Sequence, residues 1–582
     1  MAATSSSVGT LLVNGRIFTK GGTGLEGQPE FADSIFVQDG VIKSIGSRDE
    51  LSVKHLHEAT HTQDLAGKIV LPGFVDGHMH LLQLGQSLQK VSLDYCKSLE
   101  EIVETIRSFA KANPDLPRIL AMGWAINLTP DGVHAKTLDD IDSRPIYVDA
   151  LDLHSVWCNS AAIAELGVSD MPNPEGGEIH RYDDGTPTGL LSENAVFGIV
   201  QPFLAQVLTK NQRMEYMLRA FEEYSASGYT GAVEMAMDEV AWDALSTLFS
   251  QRPDIAVRMT AYWLIKPDTE NSVRRQVGRA IELHRQFNRE TSPNLSVTGI
   301  KLVCDGTIDA CTAYLSEPYA IAPSAPPLWS DEKLVQVVQQ ASEAGLQIAL
   351  HAIGDKAIHT AINALETHTN PGSRHRIEHL EFSAPEDAKR LGSLGITASI
   401  QPVHADPMIL TDWPRLIGTH RCKRAFAYRD FADSGALLAI GSDTPTAPWD
   451  PLKNLYVATT RRSARQPEWT TTVNENFRLG LCEAITAATL GAAKSVFAED
   501  RVGSLEAGKA ADFAVLNLEW DAEKYGVFTK CQQKSLNRSK STFGADDFML
   551  SIDGTTSLYY ETILFIGYPD FNYNNEHFSN TS

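Results

Sequence analysis

Apolar positions along this chain change period as they run. Over the first 69 residues they alternate in short stretches, LLVNGRIF, SIFVQDGVIKSIGS and then KIV, broken by Gly and Asn-Gly, which predicts the hairpins of a small sheet. Beyond that, strand-length apolar runs alternate with segments of helical period, the pattern of parallel β/α units. Eight such runs stand out: IVLPGF (70–75), TGAVE (230–234), AVRMTAY (256–262), VTGIKLV (297–303), QIALH (347–351), RIEHL (376–380), TASIQ (397–401) and LLAIG (437–441). Eight predicts an α/β fold closed as a (β/α)8 TIM-type barrel, although an open doubly wound sheet shares the alternation. The segments NQRMEYMLRAFEEYSASG and DEKLVQVVQQASEAG read as helices stopped by Gly, the second with Ser330 as its N-cap.

Residues 91–204 are too long for one β/α connection and carry two extra strand-like runs, RILAMGW (118–124) and PIYVDAL (145–151), so an inserted subdomain is expected there. A late β-like piece, GSLEAGKAADFAVLNL (503–518), can pair with the N-terminal hairpins. The expected organisation is a composite β-sandwich from 9–69 plus 486–523, a barrel from 70–90 plus 205–485, the insertion at 91–204, and an atypical polar and aromatic tail at 524–582 without helix or strand period.

Composition narrows the function classes. With net charge −23 and no basic run interleaved with aromatics, nucleic acid is not an expected partner. No stretch of 18 apolar residues occurs and the N-terminus lacks the marks of a secretory signal, so neither membrane nor export is expected and the location expected is cytoplasmic. Seven scattered cysteines without C-x-x-C spacing fit reduced thiols better than a disulfide frame or a thiolate metal site.

Against that background the stretch GFVDGHMH, residues 73–80, is informative. In a strand, side chains two apart share a face, so His78 and His80 converge on one spot, as a transition metal requires. Alone, an H-x-H pair also fits two structural histidines. On the expected barrel, however, Lys301 lies on the fourth strand, His351 ends the fifth, His379 lies on the sixth and Asp443 follows the eighth. All then project toward the C-terminal end of the strands, where barrels carry chemistry, and this joint placement favours metal binding.

With these residues in place, the motifs LPGFVDGHMH, GIKLVCDG followed by TAY, HAIGD, HRIEHL, ASIQP, AIGSDTP and GSLEAGKAADFAVL resemble, in order over roughly residues 9–518, the amidohydrolase superfamily in its family 3, the YtcJ-like branch that includes N-substituted formamide deformylases. The resemblance implies one or two divalent ions, commonly zinc, held by His78, His80, His351, His379 and Asp443, with Lys301 at the position that binuclear relatives carboxylate. It implies hydrolysis of a C–N bond in a small amide by metal-activated water, with Asp443 as general base and, where one metal is present, His379 or His351 contacting the substrate oxygen. The glutamate that deaminase-type members carry after the fifth-strand histidine is missing from His351-Ala352-Ile353-Gly354-Asp355, which places deamination below amide hydrolysis.

Trp124, His154 and Asn159 in the insertion are candidate substrate contacts, with packing and capping as the alternative. Arg376 is a candidate for binding a carboxylate or for neutralising Glu378. Asp305 and Glu378 adjoin ligand positions as candidate acceptors that orient them. The expected partner is a small-molecule amide, with a homodimer left open. Lactone or ester hydrolysis, and a non-catalytic regulatory role that keeps the fold, stand as alternatives. The tail departs from the family after Leu518, where the run SLYYETILFIGY either replaces a missing strand or stays exposed as an aggregation-prone segment.

Overall fold

The computed structural model describes residues 9–520, apart from positions 94, 95, 151, 152, 154, 175, 176, 194, 370, 371, 518 and 519. Eight parallel strands form one sheet in sequence order: β1 (Phe74–Met79), β2 (Tyr229–Met237), β3 (Arg258–Leu264), β4 (Leu295–Val303), β5 (Gln347–Ala352), β6 (Arg376–His379), β7 (Thr397–Ile400) and β8 (Leu438–Ile440). The strands are buried almost throughout, as parallel strands covered by helices must be. The helices obey their start signals. Thr209 and Gln212 form a capping box for Lys210–Ala226, and Ser330 caps Asp331–Glu343 by accepting from the Lys333 amide.

Closure of the cylinder is visible at the seam between β1 and β8. Asp443 N donates to His78 O at 2.7 Å and His80 N donates to Thr444 O at 3.1 Å. The strands approach closely enough that a Cβ on Gly77 would meet Ile440 O at 2.8 Å, and one on Gly441 would meet His78 N at 2.4 Å. The buried Asp76 carboxylate ties the seam. It accepts from Ser442 N at 2.9 Å, Ser442 Oγ at 2.6 Å and Tyr224 OH at 2.8 Å.

The expected first barrel strand, 70–75, divides at Gly73. Ile69–Pro72 leaves the barrel and pairs antiparallel with Phe513–Leu516 and parallel with Arg16–Gly21, so the barrel strand begins only at Phe74. The sheet ordered Phe513–Leu516, Ile69–Pro72, Arg16–Gly21, Pro29–Ala32 faces a second four-stranded sheet, Val41–Gly46, Ser34–Gln38, Gly9–Val13, His61–Asp64. Ile17, Val37, Val70 and Phe513 share one core between them. Residues 487–495 are helical and pack on β1 and β8, which assigns this stretch to the barrel rather than to the late sheet strand.

Within the insertion, six strands order as Gly177–Arg181, Pro187–Glu193, Ser155–Cys158, Ile146–Ala150, Ile119–Trp124 and Val91–Ser92. No helix among the described residues is long and apolar enough to cross a membrane. The six cysteines described are free thiols. The run SLYYETILFIGY lies outside the described residues.

Candidate metal centre

The strand ends gather the ionisable groups at one mouth of the barrel. His78 Nε2 lies 3.2 Å from Asp443 Oδ1, and His80 Nε2 lies 3.0 Å from the same oxygen. Their rings stand nearly perpendicular, with centroids 5.5 Å apart. His379 follows, its ring centroid 4.9 Å from that of His78 and 4.3 Å from that of His351. Lys301, on β4, is buried and lies close enough to His351, His379 and Asp443 to interact with their charge.

Two of these residues sit in backbone conformations that L side chains rarely adopt. His379 has φ 77° and Asp443 φ 54°. Such left-handed positions cost of order 1–3 kcal/mol each and persist where the surroundings impose them, which is common at functional sites.

A second layer holds the ligands in place. His78 donates from Nδ1 to Glu378 Oε2 at 2.7 Å, leaving Nε2 to face the mouth. Arg376 grips Glu378 from Nε at 2.8 Å and also donates to Gly77 O at 2.6 Å, Ser399 Oγ at 2.9 Å and Ser495 Oγ at 2.7 Å. It thereby crosslinks β1, β6 and β7. Arg376 has no exposed surface, so the expectation that it binds a substrate carboxylate is corrected: its charge is matched by Glu378.

Near His80, the Glu234 carboxylate lies 3.5 Å from Nδ1 and accepts from Leu81 N at 2.5 Å and Ala236 N at 2.9 Å. Asp305 accepts from the amides of Ile353, Gly354 and Tyr314 at 2.8 to 3.0 Å and lies 3.7 Å from His351 Nε2. It therefore pins the loops around His351 more than it orients the imidazole itself.

The electrostatics follow from burial opposed by pairing. Burial alone would raise the Asp443 carboxyl, but His78 and His80 outweigh it and hold the group well below the usual carboxylate range. Glu378 behaves likewise under Arg376 and His78. Burial would lower His80, yet hydrogen bonding to Asp443 and Glu234 lifts it to about 9. His351 is pushed down to about 3 by burial and then by the Lys301 charge. Burial and His351 hold His379 well below the usual value. Lys301 is lowered by burial despite the opposing pull of Glu378 and Asp443.

The donor set suits a divalent metal. Two imidazole nitrogens lie 3.2 and 3.0 Å from one carboxylate oxygen and all three donors lie within 4.8 Å of one another, a spacing that fits one small cation, and His379 Nδ1 is buried without a hydrogen-bond partner among the described residues.

The insertion's candidates separate from this centre. Asn159 is buried; its side chain accepts from Ala162 N at 2.9 Å and Ile146 N at 3.0 Å and donates to Arg144 O at 2.8 Å. It is the N-cap of Ser160–Leu166, which corrects its reading as a substrate contact. Trp124 is buried against Trp157, centroids 5.5 Å apart, and its indole nitrogen has no hydrogen-bond partner among the described residues. His154 lies outside the described residues.

Four residues that the sequence reasoning did not single out complete the site: Asp76, Glu234, Glu381 and His404. Glu381 accepts from His404 Nδ1 at 3.0 Å, and His404 Nε2 lies 3.6 Å from Asp443 Oδ2. Burial would lower His404, but Glu381 overrides it and raises the imidazole. Each adjoined a run already recognised: Asp76 lies two residues before His78, Glu234 ends TGAVE, Glu381 follows HRIEHL, and His404 is two residues past ASIQP. Asp76 and Glu381, carboxylates two residues from His78 and His379, were the available signal.

A closed barrel with histidines and an aspartate at its C-terminal mouth defines a class, the metal-dependent hydrolases. The chain belongs to the amidohydrolase family, whose Amidohydro_3 profile matches residues 61–530. It is 30% identical over 531 residues to Protein LONG AFTER FAR-RED 3 of Arabidopsis thaliana, with 88% of each chain covered. It is 30% identical over 501 residues to the YtcJ protein of Bacillus subtilis (strain 168), covering 83% of this chain and 90% of the relative. An N-substituted formamide deformylase of Arthrobacter pascens is 24% identical over 523 residues, covering 84% of this chain and 90% of the relative. Among solved structures, a metal-dependent hydrolase from Pyrococcus horikoshii superposes with TM-score 0.71 at 25% identity, covering 88% of this chain and 98% of that one.

Proposed function

We propose that this protein hydrolyses a C–N bond in a small amide, of formamide or N-acyl amine type, with a divalent metal, most simply zinc, at the barrel mouth. The observation that carries the reading is the meeting of His78 Nε2 and His80 Nε2 on one oxygen of Asp443, beside His351, His379 and Lys301. The named formamide deformylase relative supports the choice of bond.

His78, His80 and Asp443 would hold one ion, and His351, His379 and Lys301 a second. A bound ion supplies an activated water near neutral pH and polarises a carbonyl. The chain's own groups do the rest. The Asp443 carboxylate, kept ionised by its neighbours, takes the water proton and hands it to the departing nitrogen. His351 and His379, kept neutral by burial, are free to bind an ion or a substrate oxygen through a lone pair.

Burial lowers the Lys301 amine toward its neutral form, which is the form that adds to carbon dioxide. The nitrogen lone pair would bond to the CO2 carbon as one C–O π bond passes its electrons to oxygen and one N–H proton goes to water, giving a carbamate whose oxygens could serve as further metal ligands. No glutamate follows His351 in the stretch to Asp355, and Asp355 itself accepts from Ser316 N at 2.9 Å. That engagement favours amide hydrolysis over deamination.

The test is a screen of zinc-loaded protein against formamides, N-acyl amino acids and lactones. Turnover of an amide is expected; turnover of lactones alone would move the reading to ester chemistry. Stoichiometric metal with no turnover would favour a regulatory role.

A further inference from the structure

The mouth contains one imidazole that the proposed reaction leaves unused. His404 stands in the short turn Pro402–Ala405 that follows β7. Glu381 accepts from its Nδ1 at 3.0 Å, which fixes the ring and leaves Nε2 facing the opening. There Nε2 lies 3.6 Å from Asp443 Oδ2 and 3.4 Å from Thr446 Oγ1. The first distance is too long for a hydrogen bond, and a third polar atom placed beside the pair can reach both groups.

The two oxygens of Asp443 therefore have different neighbours. Oδ1 is occupied by His78 and His80, whereas Oδ2 looks toward His404. A proton that Asp443 gives to a substrate leaves most directly from Oδ2, at the spot that His404 borders. The His404 ring lies nearly parallel to that of His379, centroids 5.9 Å apart and planes 8° from parallel, so it flanks the ligand cluster as a wall.

Two uses are open to an imidazole so placed. His379, Glu381 and His404 offer ligand atoms within 4.8 Å of one another, a spacing that suits a cation. Glu381 is already engaged by His404 Nδ1, however, and the remaining nitrogen turns toward Asp443. We infer that His404 Nε2 contacts the departing nitrogen of the substrate, and that Glu381 is a positioning residue acting through it. The inference rests on the C–N reading above. In that reaction a C–O bond forms from water as the C–N bond breaks. One water proton passes to Asp443 and on to the nitrogen, which leaves as an amine while His404 holds it beside Oδ2.

Substituted formanilides test this, because ring substituents change the basicity of the departing aniline without altering the acyl side. In His404→Gln, kcat for 4-methoxyformanilide should fall on the order of 10²-fold, and the deficit should shrink for 4-nitroformanilide. KM, metal equivalents per chain and the thermal midpoint should hold. Glu381→Gln should repeat the trend more mildly, and Glu381→Asp should restore part of it. An unchanged kcat, a deficit uniform across the series, or loss of a metal equivalent overturns the assignment; the last outcome gives His404 to a cation. A wild type that cleaves esters but no amide overturns the C–N reading instead. The contrast is then read on aryl acetates, where an equal deficit for good and poor leaving groups overturns the contact as well. A wild type that turns over neither class overturns both.

Discussion

His78 and Glu378, 300 positions apart in sequence, are joined by a hydrogen bond of 2.7 Å from Nδ1 to Oε2 beneath the barrel mouth. The bond takes up the Nδ1 proton, so Nε2 is the nitrogen presented to Asp443 and the one that would offer its lone pair to a metal once its own proton is lost. Because Arg376 neutralises Glu378 from below, the chain runs from a buried guanidinium through a carboxylate and an imidazole to the metal position.

Glu378→Gln should therefore act twice. It leaves the Arg376 charge buried without its partner, which costs about 3–5 kcal/mol. It also removes the anchor of His78, which should weaken metal affinity by about 10- to 100-fold. Denaturant unfolding and a metal titration read the two effects separately; wild-type values in both would contradict this account of the pair.

Asp443→Asn should separate chemistry from folding. Asparagine tolerates the left-handed backbone that Asp443 adopts at φ 54°, so the strand end is kept. It cannot take up a proton, and kcat should drop by about 10²- to 10⁴-fold. Retained turnover on any amide that the wild type cleaves would remove Asp443 from the role of base.

The seam between β1 and β8 should resist even one methyl group. In Gly441→Ala the new Cβ would meet His78 N at 2.4 Å, against backbone rather than a yielding side chain. The expected cost is about 1–3 kcal/mol, together with reduced metal uptake because His78 is displaced. A variant with the wild-type melting point and full metal content would show that the seam is looser than this geometry.

Acid should destabilise the metal-free protein through its buried imidazoles. His351 sits near 3 in the fold against an ordinary 6.5, so between those values the unfolded chain binds the extra proton and stability falls as pH falls. The full displacement corresponds to something on the order of 5 kcal/mol. His379 acts in the same direction. His80, raised to about 9, acts oppositely: its contribution is present below 6.5 and is lost as pH rises through about 9. Unfolding midpoints of chelated protein between pH 7 and 4 should fall steeply for the wild type and less steeply for His351→Asn. Identical slopes would sink the assignment.

Much of the barrel was legible because a buried parallel strand writes itself as an unbroken apolar run, and seven of the eight runs coincide with strands. The eighth, IVLPGF, misled because Ile69–Pro72 and Phe74–Met79 are both fully buried, in different sheets, and only Gly73 marks the change. The histidines and Asp443 were legible because strand-end position alone aims them at one mouth. Arg376 and Asn159 were not, since the sequence does not show whether a polar side chain faces a ligand or the backbone of its own domain. Glu381 and His404 were missed because a turn, not a strand, presents His404.

Metal equivalents per chain, measured by elemental analysis on purified wild type and on His80→Ala after exposure to zinc and removal of excess, test the central claim most directly. At least one tightly held equivalent in the wild type, lost in the variant while its circular dichroism is unchanged, is the predicted result. A wild type that retains no zinc, or a variant that retains as much, would contradict a metal centre built on His78, His80 and Asp443.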